Sequence, residues 1–289
     1  MKISLIQAPY WLGNAESPLA AGPTRIVEAG AAEALREAGH DVELVAVKRA
    51  EQESDDVCWN EIESSFVVVG LVAERVREAI ARKSFPVVLA TNCFNTVGII
   101  AGSPRDVGVV WFDAHADFST TELSPSGFLD GMGLSMLTGT CWDTLRESVP
   151  GYRAVPEENV VLVGMRYGWD HERERLEASG ISVLPPAEIG DGLDAALDAL
   201  RERVADVHLH LDLDVLDRSE GMVNHHATEK GPSAPDVAEA IRAIGQRFRI
   251  RSAAMTAYVP TADPEGRVPP VAVRLLGEIA TAARIEVPA

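Results

Sequence analysis

Basic residues, cysteines and long apolar runs are all scarce in this sequence, and each shortage closes off a class of function. Only 26 Lys and Arg stand against 44 Asp and Glu, a formal net charge of −18. Nucleic acid and anionic membrane surfaces are therefore excluded as partners, because a phosphate-binding face needs cations. The same charge suits a cationic substrate without requiring one, since an acidic surface also aids solubility. The three cysteines, Cys58, Cys93 and Cys141, are odd in number and irregularly spaced, which leaves no disulfide framework or zinc ribbon to read. No apolar run reaches the ~18 residues of a membrane span. Residues 1–9 carry one positive charge and too short an apolar stretch for a signal peptide, so the expected location is cytoplasmic. Gly/Ser-rich linkers, repeats and low-complexity stretches are also missing. A single domain over 1–289, large enough to bury a sizeable core, is the expectation.

What is present is an alternation. Short β-rich runs at 3–7, 42–47, 86–90, 107–112, 160–163, 181–184, 207–212 and 252–258 are separated by helical patterns, clearest at 24–38, 74–81, 193–204, 234–248 and 271–283. That order predicts an α/β domain with a mainly parallel sheet and helices on both faces. Three loops are long, at 11–22, 118–131 and 217–231. Long loops in such domains usually line sites.

Two of those loops follow strands that end in metal-ligand side chains. Asp113, His115 and Asp117 stand at alternate positions after the apolar run 107–112, and Asp212 and Asp214 end the run 207–212. Either half alone also reads as a helix-capping aspartate. Together, four carboxylates and an imidazole at the C-terminal ends of parallel strands converge on one cleft and need cations to hold them. Oxygen-rich ligation with one imidazole suits Mn(II) better than structural zinc.

With these motifs in hand, the chain resembles the arginase/agmatinase (ureohydrolase) family over nearly its whole length. The run Asp113-Ala-His115-Ala-Asp117 is similar to the family's first metal motif, and Asp212, Asp214 and Asp217 to its second. Gly22-Pro23 before a helix and Gly164-x-Arg166 at a strand end fit as well. The resemblance implies a three-layer α/β/α fold with about eight strands and two divalent metal ions. Asp113 and Asp212 would bridge the ions, His115 and Asp214 would complete one, and Asp117 the other. It also implies a homo-oligomer, a trimer or hexamer, acting on a small molecule.

The departures from the family pattern fall on the site itself. Cys93 stands where the first metal-binding histidine is expected; it is either a thiolate ligand that moves the preference towards Zn, Fe or Co, or a buried apolar cysteine. Asp130 replaces a histidine used for proton shuttling or substrate contact, and reads either as an acid or base with raised pKa or as a helix cap. Ala257 occupies the place of the glutamate that pairs with the substrate guanidinium. His225 and His226 replace a Gly-Thr-Pro turn, as substrate contacts or as solvated loop residues. Trp169 lies where an acidic contact to the substrate amino group is expected.

The implied reaction is hydrolysis of a C–N bond at an amidine, guanidine or amide-like carbon. Water readied between two ions would attack the sp² carbon, with Asp214, Asp130 or His226 handling the proton and Trp169, His225 and Ala257 facing the substrate. Cys93 and Ala257 turn the expectation from arginine to an N-substituted guanidine such as N-hydroxyarginine. A catalytically inactive regulatory or assembly protein of the same fold is the alternative. A two-metal phosphohydrolase is disfavoured by the lack of a Gly-rich phosphate loop or Arg cluster.

Overall fold

A computed structural model describes residues 1–49, 60–103 and 107–284; Cys58 lies outside the described residues. Eight strands, β1 (Lys2–Ala8), β2 (Asp41–Ala46), β3 (Phe85–Ala90), β4 (Gly108–Phe112), β5 (Val160–Val163), β6 (Ser182–Leu184), β7 (Asp206–Asp212) and β8 (Arg249–Thr256), form one sheet. Their order is β2-β1-β3-β8-β7-β4-β5-β6, and each pairing between neighbours is parallel. The central strands β4, β5 and β7 are buried along their whole length. Continuous apolar runs such as Val-Val-Leu-Val at 160–163 are what a strand covered on both faces requires.

Among the described residues, ten helices cover the two faces: α1 (Gly22–Glu28), α2 (Ala31–Glu37), α3 (Glu61–Ala81), α4 (Thr96–Gly102), α5 (Gly133–Thr138), α6 (Asp143–Glu147), α7 (Asp170–Glu177), α8 (Asp191–Arg201), α9 (Ala234–Arg247) and α10 (Val268–Ala282). Strand alternation divides the core. Val110, Phe112, Val207, Leu209 and Leu211 pack with α1, α2 and α8 to α10, whereas Val109 and Trp111 point the other way, towards α5 and α7. The three-layer α/β/α expectation is met.

The helical pattern at 24–38 is two helices, α1 and α2, because Gly30 turns the chain into the left-handed region at φ 94°. The pattern at 74–81 is the end of a much longer helix. Asn60 caps α3 by accepting the Glu63 N–H at 2.9 Å, and the β-branched run at 67–69 continues helically. Its close neighbour α4 explains why: a Cβ on Gly98 would sit 2.3 Å from the Val69 carbonyl oxygen, so tertiary packing overrides local propensity. Ser233 and Asp236 close a reciprocal cap on α9.

The sheet order brings the C-terminal ends of β3, β8, β7 and β4 side by side at its centre. β3 and β4, consecutive in the chain, lie on opposite sides of β8 and β7, and crevices at such reversals are where open parallel sheets bind ligands.

Candidate metal centre and active site

Every candidate ligand lies at that end of the sheet. Asp113 follows β4, and its Oδ1 accepts the His115 N–H at 2.7 Å while its Oδ2 accepts the Trp111 indole N–H at 3.0 Å. Asp212, the last residue of β7, accepts the Asp214 N–H at 2.7 Å. His115 Nδ1 lies between Asp113 Oδ1 at 3.4 Å and Asp214 Oδ2 at 3.3 Å. Asp117 has a left-handed backbone at φ 46°, and its carbonyl accepts the Leu134 N–H that begins α5. Among the described residues, no side-chain hydrogen bond reaches its carboxylate.

Cys93, just after β3, is 2 % exposed. Its thiol donates to Asp212 Oδ2 at 2.9 Å and lies 3.1 Å from Thr256 Oγ1 at the end of β8. Cys93 thus touches the Asp212 carboxylate of the cluster while packing in the same apolar group as Trp111, Leu134 and Ala257.

The electrostatics of this arrangement call for cations. Burial raises the pKa of Asp113, Asp117 and Asp212, and neighbouring carboxylates raise each of them further. Burial also pushes the Cys93 thiol up, with Asp212 and Asp130 adding to it. Asp214 goes the other way: burial opposes ionisation, but His115 beside it and the hydrogen bonds it receives hold it below the usual carboxylate range. Burial disfavours charge on His115, yet Asp214 and Asp113 raise its pKa to about 12. A charged site this acidic and this dry is stabilised by bound cations.

The donor chemistry fits divalent ions. Donor atoms of Asp113, His115 and Asp214 lie within 4.8 Å of one another, as do those of Cys93, Asp113 and His210. Asp113 belongs to both groups.

The surrounding loops enclose a cavity of about 1080 Å³ lined by Cys93, Asp117, Asp130, Asp212, Asp214 and residues of the loops after β1, β4, β5, β7 and β8. Asp130 caps no helix of its own. It is buried in the cavity wall, where its carboxylate accepts the Asn92 side-chain N–H at 2.8 Å and the Phe94 N–H at 3.3 Å. Burial raises its pKa to about 7 against those hydrogen bonds. Ala257 lines the wall in a left-handed conformation, φ 68°. His225, His226 and Trp169 stand at the mouth, with the His226 ring 6.2 Å from that of His115. Asp217 stays outside the cluster and ties its own loop by accepting the Ser219 and Gly231 N–H groups.

Three residues at the site were not singled out as site residues from the sequence. Asn224, beside His225, donates to Asp214 Oδ2 at 3.0 Å and to the Ala257 carbonyl at 3.3 Å. Tyr167 stands edge-on to His115 with centroids 6.1 Å apart. His210 lies beneath Asp212 and stacks on Trp111 at 3.6 Å. Alternation along β7 was the available signal for His210, since residues 208, 210 and 212 leave one face of the strand. Asn224 and Tyr167 lie in loops without a pattern.

Residues 1–281 match the Arginase family profile. The chain belongs to the arginase family. Arginase from Bacillus subtilis is 33% identical over 226 residues, which is 74% of this chain and 76% of that protein. The structure of arginase from Bacillus caldovelox superposes with a TM-score of 0.86 at 27% identity, covering 99% of each chain. An N(omega)-hydroxy-L-arginine amidinohydrolase from Streptomyces lavendulae is 34% identical over 152 residues, half of this chain and 51% of that protein. This arginase-family chain is accordingly a hydrolase of a metal-dependent family. Among the described residues no helix is long and apolar enough to cross a membrane.

Proposed function

We propose that this arginase-family chain hydrolyses a C–N bond of an N-substituted guanidine such as an N-hydroxyguanidine, using two divalent ions held by Cys93, Asp113, His115, Asp117, Asp212 and Asp214. One observation carries the choice of substrate: the cavity wall presents Ala257 while the acidic cluster is intact. A guanidinium pressed against a methyl group gains no charge partner. The name of the Streptomyces relative supports the reading, while the relatives with longer matches are arginases. Mn(II) is the ion proposed for the oxygen-rich positions, with Zn, Fe or Co where Cys93 ligates. A trimer or hexamer of single-domain chains in the cytoplasm belongs to the same proposal.

Divalent ions bound here would supply Lewis acidity that lowers the pKa of a water nucleophile. The chain's own residues handle orientation and protons. Asp214, held ionised beside His115 and oriented by Asn224, would take a proton from the attacking water. His226 is kept neutral, its pKa lowered by burial and by His115, so it can carry a proton between Asp214 and solvent. Asp130, with a pKa near 7, is suited to giving or taking a proton on the other side of the cluster. Trp169, Tyr167, His225 and Phe128 bound the cavity mouth, where the remainder of the substrate lies.

Steady-state release of the ureido product from L-arginine, agmatine and N-hydroxy-L-arginine tests the proposal. The N-hydroxy compound should be turned over best. If arginine reaches a kcat/KM of about 10⁴–10⁶ M⁻¹s⁻¹, the inference from Ala257 fails and the chain is an ordinary arginase with a rebuilt pocket.

A further inference from the structure

The ligand motifs leave the buried His210 unexplained. His210 is fully buried on β7, two residues before Asp212, so both side chains leave the same face of the sheet. Its Nδ1 lies 2.7 Å from Thr96 Oγ1, and its Nε2 lies 3.3 Å from Thr256 Oγ1, the hydroxyl that also contacts Cys93 Sγ at 3.1 Å. With the ring proton on Nδ1, donated to Thr96 Oγ1, the Nε2 lone pair lies on the side of Thr256, the hydroxyl that also touches Cys93. Trp111 fixes the ring plane by stacking on it, 14° from parallel, and the same indole donates to Asp113 Oδ2. One side chain therefore orients both His210 and Asp113. An outer hydrogen bond on the far nitrogen and a locked ring plane are the supports a metal-binding histidine needs.

We infer that Cys93, His210 and Asp113 form a second, softer ligand set at the inner end of the cleft, chemically unlike the Asp113, His115 and Asp214 set beside it. The inference rests on the metal-dependent reading proposed above and deepens it. A thiolate, an imidazole and one carboxylate form the donor set of a tetrahedral Zn(II) or Co(II) position with one corner open, whereas two carboxylates and an imidazole suit Mn(II). The donor atoms, within 4.8 Å of one another, would have to close to the roughly 3.3–3.8 Å separations of a tetrahedral zinc site, a side-chain movement of about 1 Å. In this arrangement His210 restores the imidazole that Cys93 removes, from β7 on the far side of β8 and from below.

The experiment is a Co(II) titration of the metal-stripped full-length chain, followed by absorption spectroscopy and by metal content from mass spectrometry. Wild type should bind an ion with a near-ultraviolet sulfur-to-cobalt band and intense visible bands of tetrahedral cobalt. His210→Gln should lose the tetrahedral intensity and weaken that ion at least 10-fold, in the range typical of disrupted metal sites, while the other ion remains. Unchanged affinity and spectrum in H210Q would show that His210 is only packing against Trp111, and would overturn the inference with the metal-dependent reading intact. Wild type that binds no cobalt would overturn both. Should H210Q misfold, X-ray absorption of wild type loaded with one equivalent of Zn(II) decides the matter: sulfur and imidazole around one zinc support the set, and sulfur without imidazole refutes it.

Discussion

Cys93 and Asp212 meet at 2.9 Å, thiol to carboxylate, across the end of β8, which separates their two strands. The contact joins the one unusual residue of the cluster to one of the carboxylates expected to bridge two ions. It also places sulfur where a cation drawn by Asp212 would meet it, because Thr256 completes the same contact from the intervening strand.

Replacing Asp212 removes both the thiol's acceptor and a shared carboxylate. Asp212→Ala should therefore lose more than one equivalent of divalent metal relative to wild type, with folding kept because burial and the neighbouring carboxylates already disfavour charge at this position. Metal content by mass spectrometry, with circular dichroism as the folding control, checks this. Equal metal content in the two proteins would mean that the site is misassigned.

Arg166 tests how the loop carrying Asp214 is held. Its guanidinium donates to the carbonyls of Gly164, Asp214, Val215, Leu216, Thr228 and Glu229 at 3.0–3.3 Å. A lysine keeps the charge but cannot reproduce a planar fork. Arg166→Lys should cost about 2–3 kcal/mol, or roughly 5–10 °C in Tm, and should weaken metal retention without touching a ligand. A thermal shift under ~1 °C, beside the ~2–4 °C expected for each kcal/mol in a chain of this size, would show that solvent or neighbouring donors satisfy those carbonyls without it.

Much of this architecture is legible from residues 107–112 and 160–163, because a strand buried on both faces must be apolar throughout. The short helices α4 and α5 are not legible, for the same physical reason in reverse. Every residue of α4 and α5 is buried, so neither has a polar face and the 3.6-residue period disappears. At the site, Asp113, His115, Asp117, Asp212 and Asp214 show themselves because ligand types cluster at strand ends. His210 hides among apolar neighbours, where a buried histidine usually signals packing. Asn224 and Tyr167 act from loops whose path depends on contacts such as those of Arg166, which local sequence does not encode.

Away from the site, Asp206 at the start of β7 provides a stability switch at acid pH. Burial alone would raise its pKa, but hydrogen bonds from Arg249 at 2.7 Å and Arg251 at 2.8 Å hold it below the ordinary value. A depressed folded-state pKa contributes stability at pH above the unfolded value of about 3.9, and that contribution is lost as pH falls through the folded value. Both arginines are partly exposed, so solvent screening limits the effect. Asp206→Asn should lower unfolding free energy by about 1 kcal/mol at pH 7, with the gap to wild type closing below about pH 4. Urea denaturation across that range checks it; a gap that stays constant down to pH 3 would count against the ion pair.

The last test returns the missing charge to the pocket. Ala257 already has a left-handed backbone at φ 68°, so a glutamate there incurs no backbone strain that alanine does not. Its carboxylate would enter a cavity that already contains Asp212 and Asp214, and only a cationic substrate would offset the added repulsion. Truncating one partner of a buried charge pair costs about 2–5 kcal/mol, and restoring it should recover part of that. Ala257→Glu should thus raise kcat/KM for L-arginine at least 10-fold relative to N-hydroxy-L-arginine, read from ureido product release on both substrates. Metal content should stay at the wild-type level, because Ala257 supplies no ligand atom. If the substrate ratio does not move while metal is retained, the specificity of this pocket is set elsewhere, and the aromatic rim of Trp169, Tyr167 and Phe128 becomes the determinant to dissect.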